Sequence, residues 1–256
     1  MKPTGAAIVT GASRRIGAAI AAALAGAGHD LVLHSSARSA PETQALAATL
    51  IRNHPGLQVA CVTADLTEPG APAHIIREAA VFSNLTLLVN NASIFETGQV
   101  ADISPENWDR QFAVNLRAPV FLAHEFSKVC TRPGSAIINI ADQRVWRLNP
   151  QYFVYTLTKS ALWTATQTLA QSFAPDIRVN AIGPGPVLPN TNEGDSGFRR
   201  EVDNIPLARA VSPEDIAAAA VYLANATSVT GQMICVDGGQ HLAWRTPDVI
   251  DGGTSS

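Results

Sequence analysis

Tyr155 and Lys159 are the two side chains whose spacing best suits proton transfer. They stand at positions i and i+4 of the segment YTLTK, which places both on one face of a helix. A neighbouring ammonium group favours the ionised phenol, so we expect Lys159 to lower the pKa of Tyr155 from its usual value of about 10. Tyr155 would then be an acid that works near neutral pH. Tyr152 has Thr156 at i+4 and lacks this partner.

A glycine-containing turn near the N-terminus could bind a pyrophosphate. It runs from Thr10 and Gly11 to Gly17, between a short apolar run and an alanine-rich segment. Backbone N–H groups of such a turn, and of the helix that follows it, can approach phosphate oxygens. The pattern is weak by itself, because Arg15 stands where the middle glycine usually lies. An ordinary tight turn would explain it as well.

The residues after the second apolar run bear on which dinucleotide such a turn would bind. Sheets that bind NAD commonly place an Asp or Glu about 20 residues after the turn, where it holds the ribose 2′-hydroxyl. Here the run ending at Leu33 is followed by HSSARS, without a carboxylate. Arg15 and Arg38 could bind a 2′-phosphate, with Ser36 or Ser39 as hydroxyl donors, because the arginine fork suits phosphate. We therefore predict NADPH rather than NADH.

Two further polar positions follow later apolar runs. Asp65 comes directly after the third run, where its carboxylate could bind an adenine amino group. Asn90 and Asn91 end the fourth run and lead into Ala92 and Ser93. In open parallel sheets, ligands bind at the carboxyl ends of the strands. A plain turn would explain the Asn-Asn pair equally well.

These residues depend on elements that alternate along the whole chain. Seven short apolar runs without polar alternation are predicted as buried strands: 6–10, 30–33, 58–63, 86–90, 136–140, 178–182 and 233–236. Helical patterns lie between them at 16–27, 41–53 and 151–173. Ser104 and Ser212 are predicted N-caps, because each is followed by Pro and then Glu.

This alternation predicts an α/β fold with one doubly wound, Rossmann-type parallel sheet of about seven strands and helices on both faces. We expect a single cofactor-binding domain over residues 1–242 and a partly disordered tail over 243–256. The stretch 183–206, rich in Gly, Pro and Asn, is predicted to be irregular and long enough to form a functional lid.

Bulk composition excludes several classes of protein. The 256 residues are 46% hydrophobic and carry a net charge of −3, which argues against a general nucleic-acid binder or a binder of anionic membranes. No metal site is predicted. The three isolated cysteines, Cys61, Cys130 and Cys235, are expected to be buried free thiols in a reducing compartment. Without a secretory leader or an apolar run of about 18 residues, we expect a soluble, cytoplasmic protein.

Taken together and in this order, the motifs resemble those of the short-chain dehydrogenase/reductase family over nearly the whole chain. They are T10-G11…G17, D65, N90-N91-A92, N115, Y155…K159, P184-G185 and VDGG at 236–239. The resemblance implies that Tyr155 protonates a small-molecule substrate, that Lys159 also holds the nicotinamide ribose, and that Asn115 supports a water-linked proton path. It also implies a homotetramer. The cofactor contacts that it adds are Ile16, Leu66, Asn91, Ala92, Pro184 and Gly185.

One departure from the family concerns the substrate. Most members have a serine thirteen residues before the tyrosine, where it donates a hydrogen bond to a carbonyl oxygen, whereas this chain has Asp142. An ionised carboxylate at that place would repel a developing alkoxide, so reduction of a simple ketone is disfavoured. It suits a substrate that offers nitrogen atoms to protonate and N–H groups to bind.

Pteridine reductases and the bacterial dihydromonapterin reductases resemble the chain at this point. They combine an Asp with the Tyr-x-x-x-Lys pair, and their Thr-Gly-x-x-x-Arg-x-Gly turn matches residues 10–17. By that resemblance, Ser93 contacts cofactor or pterin, Phe95 stacks the pterin ring against the nicotinamide, and Arg15 contacts both phosphate and substrate. The segment after the second strand is one residue longer than in the parasite enzymes, which leaves the ligands of the 2′-phosphate open.

The leading hypothesis is therefore hydride transfer from NADPH to a C=N bond of a dihydropterin or dihydrofolate, with Tyr155 and Asp142 handling the proton. A first alternative is a carbonyl reductase of the 3-oxoacyl or sugar type, with Asp142 a solvated residue at a strand end and Phe95 a core or lid aromatic. A second alternative is a non-catalytic, NADPH-binding sensor or scaffold. Intact Tyr155, Lys159 and Asn115 argue against the second, because a binder does not need a tuned phenol.

Overall fold

One parallel sheet of seven strands organises the molecule, in the order β3-β2-β1-β4-β5-β6-β7. The structure is a computed structural model that describes residues 5–130, 133–188 and 194–243. The strands are β1 (Gly5–Thr10), β2 (His29–Ser35), β3 (Val59–Thr63), β4 (Leu85–Asn90), β5 (Ser135–Ile140), β6 (Ile177–Pro184) and β7 (Met233–Val236). The predicted doubly wound α/β fold is confirmed. Strand order reverses between β1 and β4, and the carboxyl ends of these strands border the crevice where such sheets bind ligands.

Helices cover both faces of the sheet. Their bounds are α1 (Arg15–Gly26), α2 (Ala40–Asn53), α3 (Ala71–Ala79), α4 (Pro105–Phe112), α5 (Ala118–Val129), α6 (Phe153–Phe173), α7 (Gly194–Asp203) and α8 (Pro213–Asn225). Alternate residues of β1 enter two separate apolar clusters: Ala7 and Val9 pack with α1, α2 and α8, and Ala6 and Ile8 pack with α3 and α5. Because β1 is buried on both faces, its sequence is continuously apolar rather than alternating. None of the described helices is long and apolar enough to cross a membrane.

Both predicted serine N-caps are confirmed. The Ser104 hydroxyl accepts a hydrogen bond from the backbone N–H of Asn107, and the Ser212 hydroxyl accepts one from that of Asp215. The Asp215 carboxylate accepts from the Ser212 N–H in return, which completes a capping box. These local signals therefore fix where α4 and α8 begin.

The prediction of an irregular stretch over 183–206 is wrong in part, although residues 185–188 and 204–206 do lie outside any helix or strand. Strand β6 extends to Pro184, and α7 occupies Gly194–Asp203. Two glycines within the ten residues of α7 lower its intrinsic helix propensity, and this concealed the helix in the sequence. Helix α6 begins at Phe153, two residues later than predicted. The predicted tail lies outside the described residues apart from Ala243.

The prediction of buried cysteines is also wrong. All three thiols are unpaired, but Cys61 is exposed, and Cys130 and Cys235 are half-buried. Cys61 lies on β3, which is an edge strand of the sheet, and four of the five residues of this strand are half-buried or exposed. Apolar neighbours in the sequence therefore do not predict burial for Cys61, because an edge strand is only partly covered.

Candidate active site

The glycine turn joins the carboxyl end of β1 to the start of α1. Gly11 has φ +62°, and a Cβ atom there would lie 2.9 Å from the Cα atom of Ala92. A Cβ atom on Gly17 would lie 2.2 Å from the carbonyl oxygen of Gly11. Only glycine therefore allows the turn, the helix and the end of β4 to pack this closely.

Asn91 ties the end of β4 to this turn. Its side-chain Nδ2 donates hydrogen bonds to the carbonyl oxygens of Thr10, at 2.8 Å, and Gly11, at 3.0 Å. The hydroxyl of Thr10 accepts the backbone N–H of Asn91 at 2.9 Å and that of Ala92 at 3.0 Å. The predicted pyrophosphate turn and the Asn-Ala motif thus form one unit, and Thr10 has a bonding role that we did not predict from the sequence.

His34 holds the glycine turn by hydrogen bonds, and we did not predict this residue from the sequence. The backbone N–H of Gly11 donates to its Nδ1 at 3.4 Å, and its Nε2 lies 3.2 Å from the carbonyl oxygen of Ala64. Burial lowers the pKa of His34 to about 4, so the ring is neutral at pH 7. Nδ1 is then the acceptor and Nε2–H the donor.

Arg15 lies in the turn with a backbone conformation that favours glycine. Its φ is +54°, a region that costs a non-glycine residue on the order of 1–2 kcal/mol. Its side chain is exposed, and Nη2 donates to the carbonyl oxygen of Leu188, on the segment after β6, at 3.3 Å. Strain of this kind concentrates at ligand-binding sites. Ile16, which follows, is half-buried against the core.

The other predicted ligands of the nucleotide lie at the carboxyl ends of β2 and β3. Ser36 and Arg38 are exposed, and Ser39 is half-buried at the end of a short 3₁₀ turn. Asp65 is exposed while Leu66 is buried in the core. Hydrogen bonds from the backbone N–H and hydroxyl of Thr67 lower the pKa of Asp65. Parallel strands place both groups on the same edge of the sheet.

Tyr155, Asp142 and Lys159 are brought together by α6 and the end of β5. The Tyr155 hydroxyl donates to Asp142 Oδ2 at 2.8 Å, and both residues are about 95% buried, with exposures of 5% and 6%. Lys159 Nζ donates to the carbonyl oxygen of Ile140 at 2.8 Å and lies 5.7 Å from the Tyr155 ring centroid. Three predicted site residues therefore form one cluster.

The expected lowering of the Tyr155 pKa is wrong in this structure. Burial and the negative charge of Asp142 raise it well above its usual value, against the opposing effects of the Arg144 charge and of a hydrogen bond with Ser93. Burial also lowers the pKa of Lys159 to about 8, against an opposing effect of Asp142. The i, i+4 spacing indicated only the effect of the Lys159 ammonium group. It could not indicate desolvation of the phenol, which has the largest effect on the pKa of Tyr155.

Asn115 occupies a π-helical turn, Ala113–Arg117, that continues α4 into α5. It is fully buried. Its Oδ1 accepts the backbone N–H of Ile94 at 2.8 Å and the hydroxyl of Ser93 at 3.1 Å. Its Nδ2 donates to the carbonyl oxygen of Ile94 and to the Thr158 hydroxyl. Such turns are frequent at functional sites, and this one fixes the Ser93 segment against α6.

Phe95 lies beside the catalytic candidates. Its ring stacks on Tyr152 with centroids 4.7 Å apart and meets Tyr155 edge-on at 4.8 Å. Backbone bonds between Gly98 and the residues at the start of α6 hold the two segments together. Tyr152, which the i+4 rule excluded as an acid, is a packing partner of Phe95 and is nearly inaccessible to solvent.

Arg144 is the most prominent site residue that sequence analysis missed. Its guanidinium lies 4.7 Å from the Tyr152 ring centroid and 5.3 Å from that of Phe95. Nη1 lies 3.4 Å from Asp142 Oδ2, and Nη2 lies 3.6 Å from Glu201 Oε1 on α7. No local pattern marks this arginine, because all of its partners except Asp142 are distant in sequence.

Pro184 and Gly185 complete the same edge of the sheet. Pro184 is buried at the end of β6, and the Gly185 N–H donates to the carbonyl oxygen of Val236 at 3.0 Å. A Cβ atom on Gly185 would lie 2.5 Å from the Cα atom of Asp237. This glycine is therefore required for the close approach of the segments after β6 and β7.

Comparisons with known proteins agree with this geometry. A family model described as enoyl-(acyl carrier protein) reductase matches residues 11–241. A short-chain type dehydrogenase/reductase of Picea abies is 32% identical over 249 residues, covering 91% of each chain. The 2-dehydro-3-deoxy-D-gluconate 5-dehydrogenase of Dickeya dadantii is 31% identical over 243 residues, covering 91% of this chain and 94% of the relative.

Among solved structures, the chain is similar to FolM alternative dihydrofolate reductase 1 from Brucella canis, which was crystallised with NADP. The TM-score is 0.91 and the sequences are 43% identical, over 98% of this chain and 99% of that one. The prediction of NADPH as the cofactor agrees with this NADP-bound neighbour. The sheet order, the glycine turn, the Tyr155–Lys159 pair and the match over residues 11–241 lead to one conclusion: the chain belongs to the short-chain dehydrogenase/reductase family.

Proposed function

We propose that this oxidoreductase uses NADPH to transfer a hydride to a C=N bond of a dihydropterin- or dihydrofolate-type substrate. The observation that carries the proposal is the buried 2.8 Å hydrogen bond from the Tyr155 hydroxyl to Asp142. A carboxylate beside the acid repels an alkoxide but accepts hydrogen bonds from the N–H groups of a pterin. The likeness to a FolM alternative dihydrofolate reductase supports the same substrate class.

The cofactor would lie along the carboxyl edge of the sheet, where the residues present fit it. Gly11, Ile16 and Gly17 would meet the pyrophosphate through the turn and the N-terminus of α1. The 2′-phosphate would meet Arg15 and Arg38 with Ser36 and Ser39. The remaining contacts would be those of Asp65 and Leu66 with adenine, and of Asn91, Ala92, Ser93, Lys159, Pro184 and Gly185 with the nicotinamide half.

When bound, NADPH supplies the hydride, and the chain's own residues manage the proton. Because the pKa of Tyr155 is raised, the phenol stays protonated throughout the neutral range and has a proton to give to a ring nitrogen. Asp142 holds the phenolic O–H and offers its second oxygen to N–H groups of the substrate. Lys159, with a pKa lowered to about 8, is a cation close enough to stabilise the phenolate that remains.

The substrate would bind between Phe95 and the nicotinamide. Contacts with Tyr152, which stacks on it, and with Tyr155, which it meets edge-on, hold the Phe95 ring in place. The Ser93 hydroxyl donates to Asn115 Oδ1 at 3.1 Å, which holds Ser93 beside it. Arg15 would contact the substrate from the turn. Asn115 itself, bonded on both sides, would position this segment and support a water-linked proton path.

The proposed assembly is a homotetramer of a single domain over residues 1–242. Its support is an exposed face on α4, α5 and α6, where Phe121 is 50% exposed. A cavity of about 740 Å³ opens on this face. Covering it with another copy of the chain would bury apolar surface that a monomer leaves in water.

The test is NADPH oxidation by the purified protein with 7,8-dihydrobiopterin, dihydrofolate and an acetoacetyl thioester as separate substrates. We expect turnover of a dihydropterin and a fall of roughly 100-fold or more on Tyr155→Phe. Asp142→Ser, which restores the usual family residue, should lower dihydropterin turnover while raising thioester turnover. Turnover of the thioester alone by the wild type would overturn the pterin proposal.

A carbonyl reductase remains the second candidate, because the relatives include a sugar-acid dehydrogenase at 31% identity. In that case Asp142→Ser would improve activity on every substrate, since the carboxylate would only oppose the alkoxide. A non-catalytic NADPH-binding scaffold would instead bind NADPH tightly and turn over none of these substrates, and Tyr155→Phe would change nothing measurable.

A further inference from the structure

Arg144 lies between two carboxylates and is not used in the reaction scheme above. Its side chain is 13% exposed. On one side Nη1 lies 3.5 Å from Asp142 Oδ1 and 3.4 Å from Oδ2. On the other side Nη2 lies 3.6 Å from Glu201 Oε1. Because Glu201 belongs to α7, this one guanidinium links the catalytic cluster to a helix that lies after β6.

Both oxygens of the Asp142 carboxylate contact hydrogen-bond donors. Oδ2 accepts the Tyr155 hydroxyl, and Oδ1 accepts the backbone N–H of Arg144 at 2.8 Å. A group surrounded by donors is favoured in its acceptor-only form, which is the carboxylate. Lys159 is the other cation nearby, but its Nζ donates to the carbonyl oxygen of Ile140. Arg144 is therefore the cation that contacts this carboxylate directly.

Aromatic rings hold the guanidinium in this position. Tyr152 and Phe95 stack on each other, and Arg144 lies over both rings within the range of cation–π attraction. Its Nε is buried and has no hydrogen-bond partner among the described residues. The planar group is thus located by rings and carboxylates together, an arrangement that the point charge of a lysine would not reproduce.

We propose that Arg144 is a positioning residue that holds Asp142 as a carboxylate facing Tyr155 and links this pair to α7 through Glu201. The titratable groups that face its guanidinium are Asp142, Tyr155, Tyr152 and Glu201. The inference rests on the proposed role of Tyr155 as the acid, but it does not require the substrate to be a pterin.

The first measurement needs no substrate. Infrared spectra of the NADPH complex at pH 7 would be compared for the wild type, Arg144→Gln and Arg147→Gln. A buried carboxylate that loses its cation takes up a proton, so Arg144→Gln should show a protonated-carboxyl band that disappears in the Arg144→Gln, Asp142→Asn double variant. Arg147, whose guanidinium donates to the carbonyl oxygen of Ala243, is the matched control and should show no band. No band in folded Arg144→Gln would overturn the proposal.

The second measurement uses whichever substrate the wild type reduces. Losing a charged hydrogen-bonding partner corresponds to roughly a 10- to 100-fold loss, which we expect in kcat for Arg144→Gln, with the Kd for NADPH unchanged. A protonated Asp142 no longer raises the pKa of Tyr155, and this loss outweighs the loss of the opposing charge of Arg144. The basic limb of the kcat profile should therefore move to lower pH in Arg144→Gln. An unchanged kcat and profile would refute the proposal.

Arg144→Lys decides the matter if the Gln variant does not fold. It keeps the charge, but its single ammonium group cannot contact Asp142 and Glu201 together. We expect it to lack the carboxyl band and to lose about 10-fold in kcat, and wild-type kcat would count against the proposal. If no substrate is turned over at all, the proposed function fails, while the infrared comparison still tests Arg144.

Discussion

Single residues in the site adopt conformations and charge states that ordinary sequence rules disfavour. Arg15 has a positive φ, His34 is neutral with a pKa near 4, and the pKa of Tyr155 is raised rather than lowered. Each departure arises from burial or from close packing at the carboxyl edge of the sheet. Departures of this kind are expected where function outweighs stability.

Arg15→Gly should separate the stability of the glycine turn from cofactor choice. Glycine adopts φ +54° without strain, so the free energy of unfolding should rise by roughly 0.5–1 kcal/mol. NADPH should bind about 10-fold or more weakly, because a charged contact with the 2′-phosphate is lost, whereas NADH, which lacks that phosphate, should bind as before. Urea unfolding and fluorescence titration measure the two effects.

Ala208 provides the matched control, because it is exposed and has φ +47°. Ala208→Gly should stabilise the fold to a similar extent and leave the affinity for both nucleotides unchanged. Equal losses of NADPH and NADH affinity in Arg15→Gly would contradict the assigned role of Arg15.

At the scale of elements, Glu201 links α7 to the site. Its Oε1 accepts the Gln240 side-chain amide at 2.6 Å and lies 3.6 Å from Arg144 Nη2. One carboxylate thus joins three segments: α7, the 3₁₀ turn after β5 and the 3₁₀ turn after β7. The helix itself contains two glycines, which lower its intrinsic stability, so we expect these contacts to help hold it in place.

Glu201→Gln should loosen α7 without unfolding the protein. The neutral amide keeps the shape but loses the attraction to Arg144, so amide hydrogens of Gly194–Asp203 should exchange roughly 3- to 10-fold faster. Hydrogen–deuterium exchange with mass spectrometry measures this by segment. Asp203→Asn, an exposed carboxylate on the same helix, is the control and should leave exchange unchanged. Equal rates in wild type and Glu201→Gln would contradict the anchoring role.

The elements and site residues differ in how well the sequence predicts them, for physical reasons. Strand β7 was predicted with its observed bounds, and the caps at Ser104 and Ser212 were predicted correctly, because both depend on local patterns. Helix α7 was missed because tertiary contacts compensate for its weak propensity. His34 and Arg144 were missed because most of their partners are brought to them only by the folded sheet, so no spacing in the sequence could indicate them.

At the scale of the whole molecule, the two apolar layers leave one polar edge, and buried ionisable groups at that edge couple folding to pH. The pKa of His34 is about 4 in the folded chain against 6.5 for the exposed side chain. As pH falls from 6.5 toward 4, the unfolded chain takes up a proton that the folded chain rejects. The free energy of unfolding contributed by His34 is therefore complete above pH 6.5 and is lost as pH falls through this window.

The expected size of this effect is about 2 kcal/mol between pH 7 and pH 5. Urea unfolding at both pH values would give the wild-type loss, and His34→Gln, which can still accept and donate hydrogen bonds, should lose about 2 kcal/mol less over the same interval. His124→Gln, at a side chain 58% exposed, should behave like the wild type. A wild-type pH dependence in His34→Gln would show that His34 does not couple folding to pH.

The bonds between Thr10 and Asn91 have a consequence for synthesis of the chain on the ribosome. Strands β1, β2 and β3 can pair as soon as they emerge, because they are neighbours in the sheet. The glycine turn, however, is held by hydrogen bonds from a residue about eighty positions later. A nascent chain that ends before Asn91 would have strands β1, β2 and β3 but would lack the hydrogen bonds that hold the glycine turn. We expect the nucleotide to bind only after β4 has left the exit tunnel and paired with β1. The cofactor would then bind a partly formed sheet and would not assist the pairing of its first three strands.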